Sequence, residues 1–315
     1  MSKGSGISLP FFRGRGCVFC VFSLGSSAMP TQASAGVCMF CGQAGRLTEE
    51  HIIPEWISKQ LRKGRSRAFR FETEDRKAST EKHATTFIYR ARLAEVTVDQ
   101  LCERCNSERM NRLEGDVQAV LRPLLSSQTR RLGVQEQAVL TSWATLKFMT
   151  IDRLIPLDER PFGYFFTQSE CRQFHDTLSI PEILLFVGYY DGPNEASVRF
   201  IDKRWSLGDD GAIRVFVSVL VVGRALFLVF DHKGYLPAKA LYGWHMPGLA
   251  LATQCIYPPG NDRVHIWPPA DKFDEERIES VIHHFGLTPP NPVKPLRDDV
   301  VPTPDTEMPE PPRDQ

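Results

Sequence analysis

Two of the three Cys-x-x-Cys pairs are the residues of this chain whose types and spacing most clearly indicate chemistry. The first pair is Cys38 and Cys41 in CMFCG, and the second is Cys102 and Cys105 in LCERCN. The third pair, Cys17 and Cys20, has no partner pair to complete a four-ligand site and is interpreted as an accident of an unstructured segment. Two thiolates separated by two residues can reach one ion where the chain turns tightly, and four thiolates make a closed tetrahedral zinc site without an open position. The four cysteines therefore predict one structural zinc ion.

Chance spacing and disulfide pairing are the alternatives to metal binding. Eight cysteines in 315 residues are too few for a small disulfide scaffold, and paired thiols in a reducing cytosol favour a metal. The segment between the pairs, about 60 residues, is longer than in common zinc ribbons. Each pair nevertheless has its own turn chemistry, since Gly42 follows the first and a helical pattern begins at the second.

Three more residues could face a second, catalytic metal. Glu50 offers a hard oxygen ligand of the kind that Mg²⁺ and Mn²⁺ prefer, and His51 follows it directly. Asn106, which follows the last cysteine, adds an amide oxygen. A lone histidine on a strand is more often structural than catalytic, so the case for His51 depends on these neighbours.

The surrounding pattern predicts the elements that must position these residues. A short strand or hairpin arm is expected over 47–53, and Pro54 suits the first turn of a following helix. The alternation in FIYRARLAEVTV predicts a strand leading into the second cysteine pair. Apolar residues then recur at helical spacing from about Cys105. Asn106 would lie at the start of that helix, where free N–H groups and the helix dipole favour a phosphate.

A basic stretch between the cysteine pairs could follow a phosphate backbone, with Phe69 and Phe71 available for stacking on bases. A solvated insertion is an equally good interpretation. The candidate nucleic-acid contacts are Arg62, Lys63, Arg65, Arg67 and Arg70, together with Arg109 on the later helix.

Bulk composition restricts the partners and the location. Lysine plus arginine equals aspartate plus glutamate, at 38 each, so any basic surface must be local. The sequence contains no run of about 18 or more apolar residues, so no membrane span is predicted. These observations lead us to expect a cytoplasmic protein without a membrane partner.

The remaining segments indicate an α+β protein. Residues 1–35 are interpreted as a disordered extension or as the result of a start codon assigned too early, with Met29 as the true start; the run VFCVFSL is at the short end for an export signal. Residues 36–129 form the predicted zinc-braced domain, and 130–287 a second α+β domain with a mainly antiparallel sheet. Residues 288–315 are Pro-rich and charged, and are predicted to be disordered.

The segments CMFCG, TEEHIIPEW and LCERCN together resemble HNH endonucleases of the ββα-metal, treble-clef type. The similarity is greatest to HNH proteins, including phage junction-resolving endonucleases, in which a four-cysteine zinc braces the site and Asn follows the last Cys. It covers roughly residues 36–125. RMNRLE and the late IWPP at 266–269 also resemble a family of uncharacterised bacterial HNH-domain proteins.

The resemblance implies a role for each matching residue. His51 corresponds to the general base that takes a proton from water, and an ordinary histidine pKa near 6.5 suits that role. Glu50 and Asn106 correspond to the ligands of a catalytic Mg²⁺ or Mn²⁺, which would neutralise charge on the scissile phosphate. The implied activity is hydrolysis of DNA phosphodiester bonds, with branched and single-stranded DNA among the candidate substrates.

Two departures from the HNH pattern keep other functions open. Glu50 stands where Asp is commoner, and the middle Asn is missing from TVDQLC, where Asp99 is the nearest polar residue. The first alternative is a zinc-stabilised nucleic-acid-binding module without cleavage. The second is a protein-interaction protein in which the zinc only stabilises the N-terminal half.

Overall fold

The computed structural model describes residues 19–20, 35–61, 67–76, 82–91, 96–160, 162–180, 183–193, 196–206, 212–234, 253–257 and 264–287. The predicted tail 288–315, and the predicted extension apart from residues 19–20 and 35, lie outside the described residues.

A small antiparallel sheet carries the predicted site. It is formed by β2 (Ala35–Val37), β3 (Ala44–His51) and β6 (Thr97–Cys102), with β3 in the centre. Pro54 precedes a short helix, α1 (Glu55–Gln60), as predicted. Ile57 of that helix is fully buried and belongs to the main apolar core.

Two long helices connect this sheet to the rest of the chain. A π-helical turn, Cys105–Met110, leads directly into α2 (Asn111–Leu125), which confirms the predicted helix start at Cys105. After β7 (Arg130–Leu132), α3 (Val134–Ile151) packs against α2. α3 is buried along most of its length, so it forms the centre of the structure rather than its surface.

The segment predicted as one strand leading into the second cysteine pair is two strands. β5 (Lys82–Ala91) pairs with β4 (Arg67–Arg76) and with β1 (Phe19–Cys20), whereas β6 belongs to the small sheet. The alternating pattern was interpreted correctly as extended backbone, but alternation alone does not reveal which neighbour a strand pairs with.

The largest sheet lies in the second half of the chain. Its strand order is β12 (Thr253–Tyr257), β8 (Leu184–Tyr190), β11 (Ala225–Lys233), β10 (Ala212–Val222) and β9 (Ala196–Ser206). These neighbours are all antiparallel, and β14 (Lys272–Phe273) adds a parallel pair with β8. The predicted hairpin at Gly223 is present, and the positive φ of 60° at that residue suits glycine.

Alternate residues of the central strands enter different cores. On β10, Phe216 and Leu220 belong to the core that contains α3, whereas Val217 and Val219 belong to a second core with the last helix, α5 (Glu275–Leu287). Successive side chains of a strand point to opposite faces. A sheet covered on both faces therefore needs the continuous apolar runs seen in the sequence.

One apolar core runs through both predicted domains. It includes Cys38 and Phe40 near the first cysteine pair, Trp143 of α3, and Trp267 in β13 (His265–Trp267). The predicted mixture of helix with a mainly antiparallel sheet is confirmed. The domain division at residue 129 stays a prediction, and the described residues pack together across it.

The helix α4 (Gln168–Thr177) links the large sheet to the first cysteine pair. Glu170 on this helix forms an ion pair with Lys233 of β11. Gln168 Nε2 donates to the carbonyl oxygens of Cys38 and Met39 at 3.3 and 2.5 Å. Through α4, the large sheet thus fixes the backbone of residues 38–39.

Beside Glu170 and Lys233 lies a buried carboxylate, Asp231. Burial raises its pKa to about 6, against the opposing effect of Lys233. The folded state therefore binds the proton of Asp231 more tightly than the unfolded state does, because the carboxyl has its ordinary pKa of 3.8 in the unfolded chain. Its contribution to stability is present below about pH 4 and is lost as the pH rises to about 6.

We therefore expect Asp231→Asn to gain stability over the wild type as the pH rises from 4 to 7, by at most about 3 kcal/mol. Urea unfolding of both proteins across that pH range measures the difference. Asp191→Asn is the control, because a hydrogen bond from Lys272 lowers the pKa of that exposed carboxyl below 3.8, so the difference should stay nearly constant between pH 4 and 7. A difference for Asp231→Asn that does not change with pH would contradict this prediction.

Candidate metal centre and the adjoining site

The four predicted cysteine ligands come together in the structure. The sulfur atoms of Cys38, Cys41, Cys102 and Cys105 all lie within 4.8 Å of one another, and none of them forms a disulfide. The Sγ atoms of Cys41 and Cys102 are 3.7 Å apart. A tetrahedral zinc ion with Zn–S bonds of about 2.3 Å requires sulfur–sulfur distances of about 3.8 Å. The cluster therefore has the donors and the spacing to hold a metal ion such as zinc.

The electrostatics of the cluster also fit a cation. Burial raises the pKa of the Cys105 thiol, and the neighbouring sulfur atoms raise it further. Burial likewise raises the pKa of Cys41. For Cys38 burial acts in the same direction, but backbone hydrogen bonds outweigh it and lower the pKa. Without a cation only part of the cluster would ionise, whereas a bound metal deprotonates its thiol ligands.

Local backbone geometry explains the first cysteine pair. The N–H of Gly42 donates to the Cys38 carbonyl at 2.9 Å, and the N–H of Cys38 donates to Gln43 at 2.9 Å. Gly42 has a φ of +71°, which glycine adopts without strain. The tight turn that brings Cys38 and Cys41 together therefore needs glycine.

A bulge in the small sheet joins the two pairs. Thr48 is opposite Leu101 and Glu49 is opposite Asp99, so Gln100 is the extra residue on β6. The Gln100 carbonyl accepts a hydrogen bond from the N–H of Met39 at 2.8 Å. The turn between the first two cysteines is thus bonded to the strand that ends at Cys102.

Asn106 lies against β3, and its hydrogen bonds determine which way its amide points. Its Nδ2 donates to Thr48 Oγ1 at 3.1 Å and to the Glu49 carbonyl at 3.2 Å. Thr48 gives its own proton to the Leu101 carbonyl, so it can only accept from Asn106. The nitrogen is therefore the atom facing β3, and Oδ1 accepts no hydrogen bond from the described residues.

Glu50 is buried, with 7% of its surface exposed, and it is paired with a lysine that the sequence analysis did not consider. Lys147 Nζ of α3 donates to Glu50 Oε1 at 2.7 Å and lies 2.5 Å from Glu114 Oε1 of α2. Burial lowers the pKa of Lys147, but the two carboxylates outweigh it and the net direction is upward. Lys147 is thus a protonated ammonium between two carboxylates.

His51 points away from this ion pair. Consecutive strand residues face opposite sides, and His51 is partly exposed where Glu50 is buried. A hydrogen bond from Lys59 is the main cause of the lowered pKa of Glu55, and His51 makes a smaller contribution. The imidazole therefore lies near the start of α1. The His51 carbonyl faces inward and accepts from Lys147 Nζ at 3.0 Å.

The three predicted catalytic residues thus lie near the end of strand β3: Glu50 and His51 are its last two residues, and Asn106 is hydrogen bonded to Thr48 and Glu49. Among the described residues, no hydrogen bond joins the side chains of Glu50, His51 and Asn106 to one another. Asn106 instead lines a cavity of about 200 Å³. The residues around this cavity are Thr48, Glu103, Asn106, Ser107, Asn111 and Glu114. A metal shared by Glu50 and Asn106 stays a prediction.

Asp99, the nearest polar residue to the position of the missing Asn, lies beside Glu49 across the bulge. Burial raises the pKa of Asp99, and the charge of Glu49 raises it further. In the HNH pattern the middle Asn supports the segment that carries the histidine. Asp99, a carboxylate beside the Glu49 carboxylate, is poorly suited to replace that amide.

Of the predicted nucleic-acid contacts, only Arg109 has a described side chain. Arg67 and Arg70 lie on β4, and Arg62, Lys63 and Arg65 lie outside the described residues. Arg109 Nη2 donates to the Asp176 carbonyl at 2.8 Å. It also lines a groove of about 460 Å³ whose charged or titratable residues are Arg104, Glu108, Arg109, Arg112, Asp116 and His175. The groove has mixed charge with a small excess of arginine.

Lys147 was missed although the sequence contains a signal for it. It is the only charged residue in the second half of α3, between Leu146 and Phe148, both of which are fully buried. A lysine in such a position is almost never buried unless it is paired. The pattern therefore calls for an acidic partner, but it does not indicate that the partners are Glu50 and Glu114.

Comparison of the chain with protein-family models, with curated proteins and with solved structures finds no match. The HNH resemblance therefore depends on the motif residues alone. Within the described parts of the chain, no helix is both long enough and apolar enough to cross a membrane.

We expect the purified protein to carry one metal ion per chain, and Cys41→Ser to lose it. A serine hydroxyl is a poor substitute for a thiolate, and the free energy of metal binding contributes to folding. Elemental analysis measures the metal, and thermal unfolding measures the loss of stability. Cys255→Ser is the matched control, because Cys255 is partly buried but lies outside the cluster. Wild-type protein that holds no metal, and in which the four cluster thiols react freely with a thiol reagent, would contradict this prediction.

Proposed function

We propose that this protein is a zinc-braced, metal-dependent endonuclease that hydrolyses DNA phosphodiester bonds. One observation carries the proposal. The four-thiol cluster joins the start of the π-helical turn to the small sheet, so that Asn106 is hydrogen bonded to the strand that ends in Glu50 and His51. This order of parts, a cysteine turn, antiparallel strands and a helix start, supports the HNH resemblance.

Zinc is the proposed ion at the four thiols. Four sulfur donors at tetrahedral spacing are typical of structural zinc, and they leave no coordination position for water or substrate. The cluster therefore has a structural role in the proposal, and the chemistry belongs to a second, hard cation. Mg²⁺ and Mn²⁺ are the candidates because the other available donors are oxygens.

Two oxygen atoms are the proposed ligands of that second ion. Asn106 Oδ1 is held in place by the hydrogen bonds of its own nitrogen. Glu50 offers Oε2, since Lys147 takes only Oε1. A divalent ion bound there would neutralise charge on the scissile phosphate and stabilise the leaving oxygen.

His51 would take the proton from the attacking water. Its side chain is partly exposed at the strand end, so a substrate can reach it. Its backbone is fixed on the inner side by Lys147. Histidine is the commonest general base in enzymes. Because His51 and Glu50 leave opposite faces of β3, the scissile phosphate would have to lie at the end of the strand, between the two side chains.

We expect wild-type protein to nick supercoiled plasmid with Mg²⁺ or Mn²⁺, and His51→Ala to lower the rate on the order of 100-fold or more while keeping the zinc. Gel electrophoresis of a time course measures nicking, and elemental analysis measures zinc. His265→Ala is the matched control, because His265 is a partly buried histidine on β13, away from the small sheet. Absence of cutting by wild type with either ion would end the proposal.

A nucleic-acid-binding module without cleavage is the second candidate, and the Lys147–Glu50 pair favours it. An ammonium 2.7 Å from Glu50 already neutralises the carboxylate that would attract the metal. The absence of the middle Asn points in the same direction.

If this second candidate is correct, we expect DNA binding that weakens steeply with salt and no nicking under the same conditions. Charge neutralisation of phosphates makes log K fall linearly with log salt concentration. Gel-shift titrations at two or more salt concentrations measure the slope, with Arg112→Ala as the probe of the groove and Arg131→Ala, on β7, as the control. Undetectable DNA affinity at low salt would exclude both functions and favour a protein-interaction role.

A further inference from the structure

Lys147 of helix α3, in the predicted domain 130–287, bonds both to the Glu50 side chain and to the backbone of His51. Its side chain has 0% of its surface exposed. Its Nζ makes three contacts: the Glu50 carboxylate at 2.7 Å, the His51 carbonyl at 3.0 Å and the Glu114 carboxylate at 2.5 Å. Each contact is on a different group, and two of the three are on β3.

The contact to the His51 carbonyl holds the C-terminal end of strand β3. Immediately after His51, the N–H of Ile52 donates to Val96 at 3.0 Å, and Ile52 and Ile53 are fully buried. Strand ends normally fray unless they are fixed. Here one side of the strand end is bonded to β6 and the other to the ammonium of α3.

Packing alone does not account for a lysine at this position. Most residues around it on α3 are apolar, and Trp143 and Leu146 are fully buried. Replacing a buried ionic group by a well-packed apolar one is often neutral or stabilising. What an apolar residue could not do is donate to the His51 carbonyl and orient the Glu50 carboxylate.

We propose that Lys147 is a positioning residue of the candidate site, so that helix α3 completes a site whose other residues all lie in 36–129. The inference rests on the proposed function, since positioning has a purpose only if His51 and Glu50 act. It assigns a role to part of residues 130–287, which the motif does not reach. The site then depends on packing between the small sheet and helix α3.

Two variants isolate the contact to His51. Glu50→Gln keeps the lysine and its bond to the His51 carbonyl. Lys147→Met combined with Glu50→Gln removes that bond without leaving the Glu50 charge buried and unpaired. Hydrogen exchange followed by mass spectrometry compares the peptide spanning residues 50–53 with one from β10, and zinc content checks that the fold is kept.

We expect the double variant to exchange on the order of tenfold faster than Glu50→Gln in the 50–53 peptide, with the β10 peptide unchanged. Equal exchange of the 50–53 peptide in the two variants would overturn the inference. Faster exchange in both peptides would overturn it too, because Lys147 would then support the whole fold rather than this strand end.

Activity gives the second readout. Lys147→Met should lower kcat for plasmid nicking on the order of 100-fold with KM nearly unchanged, because a displaced base slows chemistry without removing DNA contacts. Glu114→Gln is the matched control, since it removes a carboxylate from the same lysine but leaves both contacts to β3. An unchanged kcat in Lys147→Met would count against the inference.

The two proposals can fail separately. If wild type does not cut DNA, the proposed function fails, and the exchange comparison still decides whether Lys147 holds the strand end. If wild type cuts and the exchange rates of the two variants agree, the function stands and Lys147 has no positioning role.

Discussion

The convergence of four sulfur atoms is the constraint on which the candidate site depends. Buried thiols this close together resist ionisation, and a cation that neutralises them supplies the energy to hold two distant pieces of chain in contact. Here those pieces are the turn at Cys38 and the helix start at Cys105. Asn106 can reach β3 only because Cys105, the preceding residue, is held there.

A second electrostatic contact connects the small sheet to helix α3, in the predicted domain 130–287. Lys147 places one positive charge between two carboxylates, and neither burial of the lysine nor burial of Glu50 would be tolerable without the other. The four-cysteine cluster and this ion pair therefore contact β3 and its neighbours at different points. The cluster orders the beginning and middle of β3, whereas Lys147 orders its end.

Much of the fold could be predicted because its elements have strong local patterns. The helix from Cys105, the buried helix around Trp143 and the hairpin at Gly223 all follow from periodicity or turn chemistry. Pairing partners could not be predicted in the same way. The strand expected before Cys102 is divided between two sheets, because an alternating pattern is satisfied by any neighbour that buries one face.

For the site, the sequence by itself indicated the four metal donors, since Cys38/Cys41 and Cys102/Cys105 together supply the four thiolates of one tetrahedral site, and it placed Asn106 at the helix start. Only the tertiary structure decided what Glu50 faces. Adjacent residues on a strand point in opposite directions, so Glu50 enters the core while His51 stays partly exposed. The partner of Glu50 comes from α3, 97 residues further along the chain, and a contact of that range depends on packing that no local pattern records.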